Sequence, residues 1–313
     1  AKWCQCAQCI RLGDPVERHA LMVSQASGAI RRLKRSVKLE CIAYSSYVAP
    51  PAKRPVRKDI LVDFCPINQC FEHQIDDATS ERNADYVNHL REWRKRFAGD
   101  LSVYSYYRKY AWNSLPILLP HYMQHDLKFY AAEGINGISS YAEPGDWATY
   151  ELNHYILGAL AWNPASDMDS LVEEFAICRF GEFADLGCEA YSLLESRARR
   201  FSSIPFTAAK SAEEYDGAIA EFQGLLQRVK WAEEITDSSA VLRVLGRLRF
   251  GLEYLLLDIM LTKARVMGEG QTSRLAILSE MDDLLTKASD EGVFLTERLR
   301  STRLASRYGL GDE

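Results

Sequence analysis

Along this chain, apolar residues recur every three or four positions in some stretches and run together in short blocks in others. The spacing predicts a helix over 16–35, with Leu21, Ile30 and Leu33 as apolar positions and cations at its end. Two β-leaning blocks follow, VKLECIAY (37–44) and DILVDFC (59–65), the first closed by Ser45, Ser46 and Pro50-Pro51, the second by Pro66. Over 83–97, Tyr86, Leu90, Trp93 and Phe97 fall on one helical face. LSVYSYY (101–107) reads as a third strand, 121–132 as a helix stopped by Gly134, INGISSY (135–141) as a fourth strand, and 149–161 as another helix.

Four strand–helix alternations imply parallel βα units. Their strands read as apolar blocks, as expected where both faces of a sheet are covered. After Trp162-Asn163-Pro164 the pattern turns helical throughout, with Asp167 or Asp169 capping a helix over 171–179. Further helices are predicted at 183–200, 211–236, 239–267 and 271–288, and a short one near the C-terminus. The sequence thus divides into an α/β part (1–164) and an all-α part (165–313). The most apolar stretch, 241–261, holds Arg243, Arg247, Arg249 and Glu253, which excludes a membrane span.

Composition adds limits. With 47% hydrophobic, 11% aromatic and 26% charged residues, the chain has a globular makeup. The net charge of −5 is uneven: residues 1–100 carry 17 Lys/Arg against 12 Asp/Glu, the remainder 21 against 31. The basic clusters 31–35, 53–58 and 94–96 lie at helix ends or in polar loops, so no nucleic-acid partner is expected. No basic leader with an apolar run opens the sequence. It begins at Ala1, inside a cysteine cluster, and is read as a cut end or a piece of a longer protein.

Four βα units cannot close an eight-stranded barrel. An open nucleotide-binding sheet is the competing architecture, but no GxGxxG loop follows any strand. Aromatic and polar residues instead gather where the strands end: Tyr44, Cys65, Tyr104, Tyr106, Tyr141 and Glu143. Barrel enzymes place their sites at that edge. A tyrosine offers a sugar a flat apolar face and a hydroxyl, and Tyr104 and Tyr106, two apart in a strand, point to one side. Of the carboxylates, Glu143 is best placed and Asp63 next; Asp76 and Asp77 look solvated. His121 and His125 share a helix face, better read as a surface pair than a metal pair. No local motif suggests a Cys–His nucleophile pair.

Eight cysteines are present, Cys4, Cys6 and Cys9 in one dense opening. A structural zinc on Cys6, Cys9, Cys65 and Cys70, disulfides in an exported protein, and free buried thiols (Cys41, Cys178, Cys188) all remain open. Apart from that zinc, no cofactor is expected.

With these blocks in order, the chain resembles the C-terminal part of the glycoside-hydrolase-like barrels grouped as domain of unknown function 4838. Members of glycoside hydrolase family 163, endo-β-N-acetylglucosaminidases acting on complex N-glycans, fall in that group. The resemblance rests on Cys6-x-x-Cys9 with Gly13-Asp14-Pro15, Ala43-Tyr44 before Pro50-Pro51, Cys65…Cys70 with His73, VYSYY (103–107), and ALAWNP (159–164) leading to Asp167, Asp169, Leu171 and Phe175. It covers residues 3 to 200. It implies the C-terminal half (strands 5 to 8) of a (β/α)8 barrel followed by an α-helical domain. It also implies a glycan substrate, a parent that is extracellular, periplasmic or on the cell surface, and an acidic pair at the end of strand 4, upstream of Ala1. A strand-7 tyrosine, Tyr104 or Tyr106, would then hold the acetamide of an N-acetyl sugar. The alternative is a non-catalytic carbohydrate-binding or scaffold protein with a helical interaction domain.

Overall fold

The structure is a computed structural model; it describes residues 3–33, 36–203, 210–295 and 299. Two compact units emerge. The first comprises residues 1–107, 122–141 and 160–165, the second 108–121, 142–159 and 166–313. The division is therefore not a single cut at 164/165. Two segments inside the α/β region, 108–121 and 142–159, pack with the helical unit.

In the first unit, α1 (Ala7–Arg11) and α2 (Pro15–Arg32) precede β1 (Leu39–Tyr44). Asp14 caps α2 by accepting from the Glu17 N–H, with Pro15 at the first helical position, where its missing N–H costs nothing. The predicted helix 16–35 runs past this end; Lys34 and Arg35 lie outside the described residues. β2 (Ile60–Cys65), α3 (Glu81–Arg96), β3 (Leu101–Ser105), α4 (Pro120–Ala132, in this unit from Tyr122) and β4 (Gly137–Ser140) follow, and the sheet order is β1-β2-β3-β4, all parallel. The predicted third strand, 101–107, ends at Ser105, so Tyr106 and Tyr107 lie beyond the ladder. The connection from β1 to β2 has no α-helix: only a 3-10 turn, Ser45–Tyr47, interrupts residues 45–59. Pro50, Pro51 and Pro55 explain this, because proline cannot donate within a helix. The Trp93 indole donates to the Val48 carbonyl at 2.7 Å and ties this loop to α3.

The sheet corrects one expectation. Its strands are not apolar on both faces. One face (Ala43, Ile60, Val62, Phe64, Leu101, Val103) is buried beneath Val23, Val87, Leu90, Trp93 and Phe97 of α2 and α3 and the segment after α3. Strand register puts Ile42, Asp63 and Ser102 on the other face, with Tyr44 beside Cys65 and Tyr104 beside Ser139. There Glu40, Ile42, Gly137 and Ser139 are exposed, and Tyr44, Leu61 and Tyr104 half-buried. Open parallel sheets normally cover both faces.

The second unit is built on α5 (Glu151–Trp162, mostly in this unit), α6 (Met168–Phe180), α7 (Ala184–Leu193), α8 (Arg199–Phe201), α9 (Ala212–Ile235), α10 (Ser239–Val266) and α11 (Gln271–Lys287). Asp167, not Asp169, caps α6. The single helix expected over 183–200 is broken by a π-helical segment, Leu194–Ala198. Ser211 and Glu214 close α9 with a reciprocal capping box. Along α10, Leu245, Leu252, Leu255, Ile259 and Leu261 are buried. The short C-terminal helix expected from sequence lies outside the described residues. Among the described residues, no helix is long and apolar enough to cross a membrane.

Candidate functional site

The C-terminal edge of the sheet in the first unit carries a wall of tyrosines. The Tyr104 and Tyr106 rings meet edge to face, centroids 5.4 Å apart, and Tyr106 lies 6.5 Å from Tyr141. At the end of β1, Tyr44 lies 6.3 Å from Tyr47, whose ring stacks on His19 at 4.4 Å and meets Trp3 at 5.6 Å. Ser45, with φ of 51°, makes the left-handed turn that brings Tyr47 back beside Tyr44. Tyr47, His19 and Trp3 were not singled out from sequence, because they come from a turn, a helix and the N-terminal arm. Burial, then the neighbouring Cys65, raises the phenol pKa of both Tyr104 and Tyr106, so both hydroxyls stay protonated donors. Among the described residues neither hydroxyl is engaged by a hydrogen bond.

Below this wall, the polar face holds two interacting carboxyls. Ser102 Oγ donates to Asp63, and the Asp63 carboxyl hydrogen-bonds Glu40, raising the Glu40 pKa. Asp63 is thus the base of the face, not a free acid at its rim. Glu143 falls in the second unit and is half-buried; its charge acts on Asp146. Asp76 and Asp77 are not idle: Asp76 pairs with His125 at 2.6 Å, and Asp77 accepts from the Thr79 N–H at 2.8 Å. His121, in the second unit, contacts Glu195 at 2.8 Å and Asp169 at 3.4 Å. The two histidines therefore engage separate carboxylates.

The loop after β2 contains a Cys–His contact that no local motif suggested: Cys70 Sγ lies 3.4 Å from His73 Nδ1. Asn83 of α3 holds this loop, donating to the carbonyls of Cys70, His73 and Gln74 and accepting from the Cys70 N–H. Beneath it, Asp126 of α4 accepts from Gln69 at 2.8 Å and from the Tyr107 hydroxyl at 3.1 Å. Complete burial outweighs these bonds and pushes the Asp126 carboxyl up to about 7.

That shift has a definite sign. The folded chain holds a proton on Asp126 that the unfolded chain releases near pH 4. Its stabilising contribution is complete below that pH and is lost as pH rises through about 7, at up to about 1.4 kcal/mol per pH unit. Urea unfolding between pH 4.5 and 8 is expected to show a downward slope that Asp126→Asn flattens. Parallel slopes in the two proteins would refute the assignment.

Among the described residues, the expected ligands Cys6 and Cys9 fall in a sulfur group that does not include Cys65 or Cys70. The three sulfurs brought together, all within 4.8 Å of one another, belong to Cys4, Cys6 and Cys9. Cys65 is buried at the end of β2, its thiol 3.4 Å from the Asp63 carbonyl. All eight cysteines are free thiols. Cys6 is drawn down to about 7, first by the N–H of Cys9 and then by the Cys4 thiol, while Cys9 is pushed up to about 11 by hydrogen bonding with Cys6. Burial pushes both Cys41 and Cys65 up to about 12, leaving them inert.

Against known families, residues 1–190 match the model described as Domain of unknown function (DUF4838). This chain belongs to the DUF4838 family. A search of curated proteins found no match. Among solved structures, the DUF4838 chain is similar to one described as a novel family GH115 4-O-methyl-alpha-glucuronidase, BtGH115A, with specificity for decorated arabinogalactans. The TM-score is 0.63 at 12% identity, covering 96% of this chain and 43% of that one. The likeness is one of fold, and the present chain spans less than half the length of its structural relative.

Proposed function

We propose that this DUF4838 chain is part of a glycan-acting hydrolase, contributing the C-terminal half of a (β/α)8 barrel and a helical appendage. The observation that carries the reading is the row Tyr44, Tyr104, Tyr106 and Tyr141 at the C-terminal edge of a parallel sheet whose second face is polar and exposed at its outer strands. A site at the C-terminal ends of parallel strands is the layout of a barrel enzyme. Similarity to a glucuronidase fold and the 43% coverage fit a chain whose remaining strands, with the acidic pair, lie elsewhere in the parent.

In this reading the substrate is an N-acetylglucosamine-containing glycan, and the reaction uses the sugar's own acetamide oxygen as nucleophile. The protonated hydroxyl of Tyr106 or Tyr104 donates to the acetamide and holds it in the orientation for attack on the anomeric carbon. Tyr44 and Tyr141 supply flat faces for neighbouring sugars. A large extracellular or periplasmic glycan is the natural substrate for such an edge.

The test is hydrolysis of N-acetylglucosamine-containing glycans by the full-length parent. Loss of one orienting hydrogen bond between neutral groups costs about 0.5–1.5 kcal/mol, so Tyr106→Phe or Tyr104→Phe is expected to lower kcat about two- to tenfold, with little change in KM. Wild-type turnover in both variants removes the role. Release of a uronic acid instead of an N-acetyl sugar would move the substrate class, and glycan binding without turnover would assign a carbohydrate-binding module.

A further inference from the structure

The thiols of Cys4, Cys6 and Cys9 take no part in the proposed hydrolysis. Backbone geometry explains why they meet. Cys6 has extended dihedrals (φ −67°, ψ 156°) as the cap of α1, and Cys4 lies two residues earlier in the irregular arm before it. The first turn of α1 then returns Cys9, three residues on, to the side of Cys6. The arm is fastened at two points: Arg18 of α2 donates to the Cys4 carbonyl at 2.7 Å and lies 5.7 Å over the Trp3 ring. The Trp3 indole donates to Ser46 at 3.2 Å.

We propose that Cys4, Cys6 and Cys9 form a three-thiolate site for one zinc ion. Sulfurs bound to one tetrahedral zinc at about 2.3 Å sit roughly 3.8 Å apart. The three sulfurs here are already within 4.8 Å of one another, so closure needs small side-chain rotations and no backbone rearrangement. Cys4 and Cys6 are exposed and Cys9 half-buried, which gives an ion a direct path from solvent. On binding, the three thiols release their protons to solvent and form three sulfur–zinc bonds, with water completing the tetrahedron. The complex carries one net negative charge. Arg18, bonded to the Cys4 carbonyl, provides a nearby cation to balance it.

The experiment is titration of the reduced 313-residue chain with Zn2+ and, in parallel, with Co2+, whose thiolate charge-transfer and ligand-field absorption report both sulfur ligation and tetrahedral geometry. One equivalent per chain is expected. Cys4→Ser, Cys6→Ser and Cys9→Ser should each weaken binding tenfold or more, while Cys65→Ser and Cys70→Ser leave it unchanged. Where a variant is poorly folded by circular dichroism, alkylation of the wild-type chain decides: zinc is expected to protect Cys4, Cys6 and Cys9 from a maleimide, as mapped by mass spectrometry. Absence of stoichiometric binding, cobalt spectra without thiolate bands, or protection of a different set of cysteines would overturn the proposal. None of these outcomes bears on the glycan assay, so the two readings fail independently.

Discussion

Asp146→Ala is expected to lower the unfolding free energy by about 3–5 kcal/mol. In the second unit, Asp146 is ion-paired with Arg108, both side chains only 1% exposed, and it also accepts from Ser114 at 2.9 Å. Arg108 lies 5.7 Å over the Tyr150 ring, so its planar group is held by packing as well as by charge. Removing the carboxylate takes one ion-pair partner from a buried guanidinium, a loss that water cannot make good without opening of the structure. Burial already raises the Asp146 pKa, with Arg108 and Ser114 acting in the opposite direction. The measurement is chemical denaturation, with a fall in Tm on the order of 10 °C as the thermal counterpart. A double replacement, Arg108→Met with Asp146→Leu, should restore part of the loss, because it removes the buried charge but takes the acceptor from Ser114. If the single variant loses under about 1 kcal/mol, the pair is not the anchor argued for.

The second large effect is at Asn83, which is fully buried. Its amide donates to Cys70, His73 and Gln74 carbonyls at 2.9, 3.1 and 3.0 Å, and its oxygen accepts from the Cys70 N–H at 2.8 Å. Tyr122 reaches the same Cys70 carbonyl at 3.0 Å. Asn83→Ala leaves several buried backbone groups without partners, each costing about 1–3 kcal/mol, partly relieved by Tyr122 and by entering water. A loss of about 3 kcal/mol is expected, together with faster amide exchange across 68–74 and faster alkylation of Cys70. Asn83→Asp keeps the acceptor but sets a buried carboxylate oxygen against three carbonyls, so it should be at least as destabilising as alanine. An alanine variant with native exchange rates in that loop would disprove the role.

The order of elements was legible because it rests on local chemistry. Predicted helices at 83–97, 211–236 and 239–267 match Glu81–Arg96, Ala212–Ile235 and Ser239–Val266 within two residues, since caps and apolar periods act over a single turn. The tyrosines at the strand ends were visible for the same reason: strand period two and a parallel order fix their edge. The β1–β2 connection was misread as part of a regular alternation, although its prolines were in view. The Cys–His contact in the β2–α3 loop escaped because it depends on Asn83, thirteen residues from Cys70.

By itself, the sequence determined which segments are strands and helices, where they start, and that aromatic residues collect at one edge. Those properties follow from backbone sterics, capping and hydrophobic period, all of them local. Tertiary structure alone decided which sheet face is covered, which three cysteines meet, and that Arg108 and Asp146, 38 residues apart, share a buried site. Such choices depend on desolvation and on distances between segments remote in sequence, and no local pattern encodes those.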